Sequence, residues 1–167
     1  MNETAAHAYL RELVQGKSFA FADWPNGNVP RVAPGVYTVW NRSGDYLYAG
    51  MAGRSLTAEA IIERRVNPSA RTGLWGRLNA HASGKRSGNQ FCIYVADRLV
   101  LPTLAPDTIA AIAQGAQSFD RLVREFIWHN LAYRFVETRD NLEAFEVERQ
   151  AQRGLGTIGK PFLNALM

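Results

Sequence analysis

Two short apolar runs, Val36-Tyr37-Thr38-Val39-Trp40 and Tyr46-Leu47-Tyr48-Ala49, flank the polar stretch Asn41-Arg42-Ser43-Gly44-Asp45. β-Branched and aromatic residues fit a pleated, half-buried surface, and a short polar connection containing glycine lets the chain fold back. The pattern predicts a β-hairpin, and the other segments are read around it. Before it, Tyr9, Leu10, Leu13 and Val14 are spaced for a short amphipathic helix. Turn formers from Trp24-Pro25-Asn26-Gly27-Asn28 to Pro30 and Pro34 make residues 17–34 a loop.

After the hairpin, Leu56 to Val66 reads as a helix capped by Ser55 or Thr57 and broken by Pro68 and Gly73. A second helix runs from Leu74 to Ala82, with Leu74, Trp75 and Leu78 on one face. Gln90 to Val95 reads as a third strand, with Cys92 at a buried position in it. Helices follow over Pro106 to Gln114 and Phe119 to Asn130, then a fourth strand over Tyr133 to Thr138. Asn141 to Arg153 is a helix with Asp140 as cap, and Gly154 to Gly159 is a flexible stretch before Lys160-Pro161. The expected class is α+β (mixed α/β): a small, mainly antiparallel central sheet, opened by the hairpin and flanked by helices. Residues 1–167 form a single domain, with 1–34 an N-terminal helix and loop extension and 35–164 the core.

A chain of 167 residues with 47% hydrophobic content can build one sizeable core. No run approaches the roughly 18 apolar residues of a membrane helix, and the N-terminus lacks the layout of a secretory signal. A cytoplasmic protein with no membrane partner is expected. The lone Cys92 excludes an internal disulfide and any multi-cysteine zinc site. A Walker-type loop, a G-x-S-x-G turn and an HExxH helix are all missing from the sequence.

Charge is distributed unevenly. Net charge is +4, but Arg42 to Arg86 holds eight basic residues against three acids, while Asp97 to Glu148 holds nine acids against five arginines. A basic segment in an otherwise balanced chain suits a partner rich in phosphates. Arginine outnumbers lysine 16 to 3, and the guanidinium fork matches phosphate geometry.

One constellation carries chemistry. Gly35-Val36-Tyr37 opens the first hairpin strand and Tyr48-Ala49-Gly50 closes the second, so folding back brings the triplets side by side. Arg77 and His81, four residues apart, share a helix face. Glu148 lies on the late helix, and Pro161-Phe162-Leu163-Asn164 follows it.

In these residues the chain resembles the GIY-YIG nuclease family. Its members carry Gly-Ile-Tyr and Tyr-Ile-Gly triplets on paired strands, a helix with an Arg, a late helix with a metal-binding Glu, and then an Asn. The resemblance spans Gly35 to Asn164. It departs at Ala49, where a branched residue is usual, and at Met51, where many members have Lys and where Arg54 is the substitute. A further departure is the 26-residue stretch between Gly50 and Arg77, expected to form its own helix over the site.

The resemblance implies a metal-dependent endonuclease acting on nucleic acid, with DNA the expected form. One divalent ion, Mg²⁺ or Mn²⁺, would be held by Glu148, with Glu143 and Glu146 as rivals. Arg77 would grip the scissile phosphate, Tyr37 or His81 would be the base, and Tyr48 and Asn164 would complete the catalytic set. Arg54, Arg64, Arg65, Lys85 and Arg86 are the expected nucleic-acid contacts, with Arg42 a further one. Target choice would fall to the bare domain, a homodimer or a targeting partner protein. The alternative is a nucleic-acid-binding module that keeps the fold without cleaving.

Overall fold

A computed structural model describes residues 3–164, the side chains of residues 3–6 excepted. Helix α1 (Glu3–Gln15) leads to β1 (Phe19–Ala20), a 3₁₀ turn (Phe21–Asp23) and β2 (Val32–Ala33). The hairpin is β3 (Gly35–Asn41) and β4 (Tyr46–Ala52). Then come α2 (Ala58–Arg65), β5 (Thr72–Gly73), α3 (Leu74–Ala82) and α4 (Gln90–Val95), which continues as π-helix over Ala96–Val100. The last named elements are α5 (Pro106–Ala113), α6 (Phe119–Asn130), β6 (Leu131–Glu137), α7 (Asn141–Arg153) and a 3₁₀ turn (Gly156–Ile158).

The fold is mixed α+β, as expected. A four-stranded antiparallel sheet has the order β1-β6-β3-β4, and β2 pairs in parallel with β5 in a second, two-stranded sheet. Because strand side chains alternate between faces, the hairpin feeds two cores. Tyr37, Val39 and Tyr133 pack with Leu74 and Leu78 of α3, Phe91 of α4 and Ile127 of α6. Val36, Trp40, Ala49 and Met51 pack on the other side with Leu13 of α1 and Ala144, Val147 and Ala151 of α7. Among the described residues no helix is long and apolar enough to cross a membrane.

Four local readings change. Residues 90–95 are helical. Asn89 caps α4 by accepting from the Cys92 amide at 3.3 Å. Phe91, Cys92, Val95 and Ala96 form the buried stripe while Asp97 and Arg98 are exposed, a 3.6-residue period that a short apolar run does not reveal. Cys92 is buried as read, but in a helix. Residues 17–34 hold β1 and β2 within what reads as loop, and the glycine stretch after Arg153 closes into a 3₁₀ turn. The helix after the hairpin starts at Ala58, with Thr57 rather than Ser55 as its cap.

Gly73 fixes where α3 begins. Its φ of 66° is left-handed, and a Cβ there would collide with the Ala33 carbonyl across the β2–β5 pair. Only glycine satisfies both demands, and this junction aims α3 along the Tyr37 face of the sheet.

Candidate active site

Tyr37 lies opposite Gly50 across the hairpin, and Tyr48 sits diagonally beyond it opposite Val39. Both rings lie on the face that α3 covers, with centroids 6.2 Å apart. Gly50 makes room for them: a Cβ there would meet the Tyr37 hydroxyl and lie 2.9 Å from the Tyr48 ring. From above the sheet, α3 lowers His81 between the two rings, and its Nε2 is 2.6 Å from the Tyr37 hydroxyl oxygen.

The protons in this contact can be assigned from its surroundings. Asn89 Nδ2 donates to the Ala80 carbonyl at 3.0 Å, while Asn89 Oδ1 accepts from the Cys92 amide. That fixes the amide, so Oδ1 faces His81 Nδ1 at 3.0 Å and Nδ1 carries the hydrogen. Nε2 is then the acceptor, and Tyr37 donates to it. Burial first, and Arg77 second, depress the His81 pKa to about 3, so the imidazole is neutral. Burial first, with Tyr48 second, raises the Tyr37 phenol well above its ordinary value. Tyr48 is pushed up to about 12, again chiefly by burial.

Glu148 approaches from the opposite face of the sheet. Helix α7 packs under the hairpin, and β4 is an edge strand with free backbone groups. At that edge the Met51 amide donates to Glu148 Oε1 at 2.7 Å. The carboxylate therefore reaches round the rim of the sheet into the cleft. Burial raises its pKa, opposed by the Met51 bond and by Arg54 and Arg77. Asn164 works on the same edge: its amide accepts from Ala49 N at 2.7 Å and donates to Ala49 O at 2.9 Å. With Phe162 N on Tyr46 O and Leu163 N on Leu47 O, the tail pairs with β4 and satisfies groups that would otherwise be open.

These elements enclose a cleft of about 430 Å³, walled by Tyr37, Tyr48, Arg77, His81 and Glu148, with Arg54 and Phe145 at its margin. Among the described residues Glu148 is its one carboxylate, and no three potential metal ligands come together. A single carboxylate with room for water suits Mg²⁺, which keeps several waters and takes few protein ligands.

Comparison with protein-family models, curated proteins and solved structures finds no match.

Five of the six expected catalytic residues line this cleft: Tyr37, Tyr48, Arg77, His81 and Glu148. The sixth, Asn164, spends its amide on the Ala49 backbone and is not a lining residue. Of the rival acids, Glu143 bonds Tyr9 and Arg139, and Glu146 bonds Gln150.

The expected nucleic-acid contacts divide. Arg54 lines the cleft. Arg65 pairs with Glu137 at 2.6 Å and Arg86 with Asp120 at 2.6 Å, while Arg64 reaches Thr72. Lys85 is exposed on the α3–α4 loop, and Arg42 sits in the hairpin turn at the far end from Tyr37. Helix α2 does form in the long stretch, but it packs through Ile61 with Val32 and Leu56 and contributes no lining residue. Asn89, which bonds His81, was not among the residues expected at the site. Its signal was an Asn separated by one residue from the apolar run Phe91 to Val95, an N-cap pattern hidden by reading Gln90 to Val95 as a strand.

Proposed function

We propose that this protein is a metal-dependent endonuclease of GIY-YIG type, hydrolysing phosphodiester bonds in nucleic acid, DNA being the expected substrate, in the cytoplasm. The observation that supports it most is the convergence of Tyr37, Tyr48, Arg77, His81 and Glu148, from β3, β4, α3 and α7, on one cleft. Phosphodiester hydrolysis needs a water deprotonated, charge on the phosphorus centre neutralised and the departing oxygen supported. Arg77 and Arg54 supply guanidinium groups for the phosphate oxygens. Glu148 would hold Mg²⁺ or Mn²⁺. Such an ion, when bound, neutralises phosphate charge and assists departure of the leaving oxygen.

Tyr37 links water to His81. As the water oxygen attacks phosphorus, its proton passes to the Tyr37 oxygen while the phenol proton moves along the existing bond to His81 Nε2. Tyr37 then never carries a full charge, which its raised pKa forbids. His81 accepts poorly in the free protein, where burial and Arg77 hold it down. A seated phosphate offsets the Arg77 charge, so the imidazole becomes a better base when substrate is present. Asn89 Oδ1 holds the Nδ1 hydrogen throughout, keeping Nε2 as the receiving atom.

The test is nicking of labelled DNA and RNA structures with Mg²⁺ or Mn²⁺, and with chelator added. Metal-dependent cleavage by wild type, abolished in Glu148→Ala and Arg77→Ala proteins that melt like wild type, is expected. Intact binding without any nicking would replace the enzyme with a non-cleaving nucleic-acid-binding module.

A further inference from the structure

A second cleft, of about 390 Å³, adjoins the first and shares Arg54 and Arg77 as its wall. It lies between the loop after β4 and the β5–α3 junction, and Arg71, Ser55, Thr72 and Gly76 also line it. Among the described residues no carboxylate lines it. Five arginines elsewhere, Arg65, Arg86, Arg121, Arg139 and Arg149, each pair with an acid. Among the described residues, no hydrogen bond or ion pair occupies the guanidinium groups of Arg54 and Arg77. Among the described residues Arg71 has no acid partner either. Its Nη1 donates to the carbonyls of Pro68 at 3.1 Å and Ala70 at 2.9 Å, and its guanidinium lies over the Trp75 ring at 5.6 Å. A fork held this way has already lost much of its freedom, which favours capture of an anion.

Gly76 gives an independent sign. It sits in the first turn of α3, where alanine is the better helix former. Nothing local demands it: a Cβ would meet only the Arg71 carbonyl, at 3.7 Å. A bare position here keeps the cleft floor open to a ligand.

We propose that this second cleft binds the phosphodiester group next to the scissile one on the same nucleic-acid strand. The proposal rests on the nuclease reading. Two adjoining phosphates of one strand are neighbouring anions, and two clefts sharing a wall of two arginines are their counterpart. Arg71 binds the neighbouring phosphate without touching the reacting atoms, and Arg54 and Arg77 bridge the two.

The full chain in chelator, where cleavage is off, is titrated with labelled oligonucleotide over a range of salt concentrations. Arg71→Ala is expected to raise Kd roughly ten-fold and lower the salt slope by about one. Gly76→Leu, which fills the cleft without changing charge and improves helix propensity, is expected to weaken binding comparably while melting no lower than wild type. With metal restored, a neutral methylphosphonate beside the cut phosphate should slow wild type but not slow Arg71→Ala further. Unchanged Kd and slope in both variants would overturn the proposal, even if wild type cuts DNA. So would equal slowing of wild type and Arg71→Ala by the methylphosphonate, or Arg71-dependent stabilisation by inorganic phosphate as strong as by oligonucleotide. Weakened binding in both variants with no cleavage by wild type would keep the phosphate subsite and remove the nuclease. If oligonucleotide does not bind at any salt concentration, both fall.

Discussion

Tyr37 has its hydroxyl bonded to a buried neutral imidazole, so removing that hydroxyl has two consequences. Tyr37→Phe ends the relay and leaves Nε2 without a donor. Cleavage should fall by about 10²–10⁴-fold, the usual worth of acid–base catalysis, and stability by about 1–3 kcal/mol; single-turnover rates and a chemical melt measure both. His81 also makes stability depend on pH. Its folded-state pKa, about 3, lies below the 6.5 of an unperturbed histidine. Protons therefore bind the unfolded chain more readily, and its contribution is complete above pH 6.5 and lost progressively as pH falls towards 3. Melting points across that range should lose part of their slope in His81→Gln, and the His81 ring resonances of wild type should not titrate near pH 6.5. Glu148 bears on activity instead. Burial raises its pKa in the metal-free protein, so protons compete with the metal there, and the Mg²⁺ concentration needed for half-maximal cleavage should rise as pH falls.

Two elements carry the site through their ends and edges. Helix α4 begins at Asn89, whose one side chain caps the helix and orients His81. Asn89→Ala should cost about 1 kcal/mol through the lost cap, and cleavage should fall by more than stability explains because Nδ1 loses its acceptor. A kcat loss that Asn89→Asp partly restores distinguishes orientation from capping, since Asp retains an acceptor oxygen. The edge of β4 is closed by Glu148 and Asn164. Asn164→Ala leaves the Ala49 N–H without its acceptor and its carbonyl with Gln152 alone, and should lower stability by about 1–3 kcal/mol, read as a shift in denaturation midpoint. Helix α3 and the hairpin were legible in the sequence because each carries its own period and its own breaker. Helix α4 was not, because the five apolar and aromatic residues Phe91 to Val95 suit a strand as well as a helix, and the choice fell to packing against α3 and α6.

Across the whole molecule, helices pack on both faces of the four-stranded sheet, and the cleft opens at its β4 edge, lined by residues of both α3 and α7. Basic residues sort by this geometry rather than by their number. Arg65 and Arg86 are held in exposed ion pairs, worth about 0–1 kcal/mol, and their alanine variants should bind nucleic acid nearly as wild type does. Arg54→Ala, at the wall of both clefts, should weaken binding and flatten its salt dependence; titration at several salt concentrations compares the three. The sequence by itself determined the hairpin, the helix spacing of Arg77 and His81, and the candidate set, because side-chain period and turn chemistry act over a few residues. Only the tertiary structure decided that Glu148 rounds the sheet edge, that Asn164 serves the backbone, and that Asn89 fixes the His81 proton. Those depend on contacts spanning up to 115 residues, which no local pattern encodes. The triplets Gly35-Val36-Tyr37 and Tyr48-Ala49-Gly50 take their meaning there: the hairpin lays Gly50 opposite Tyr37, and its missing side chain is the space the phenol occupies.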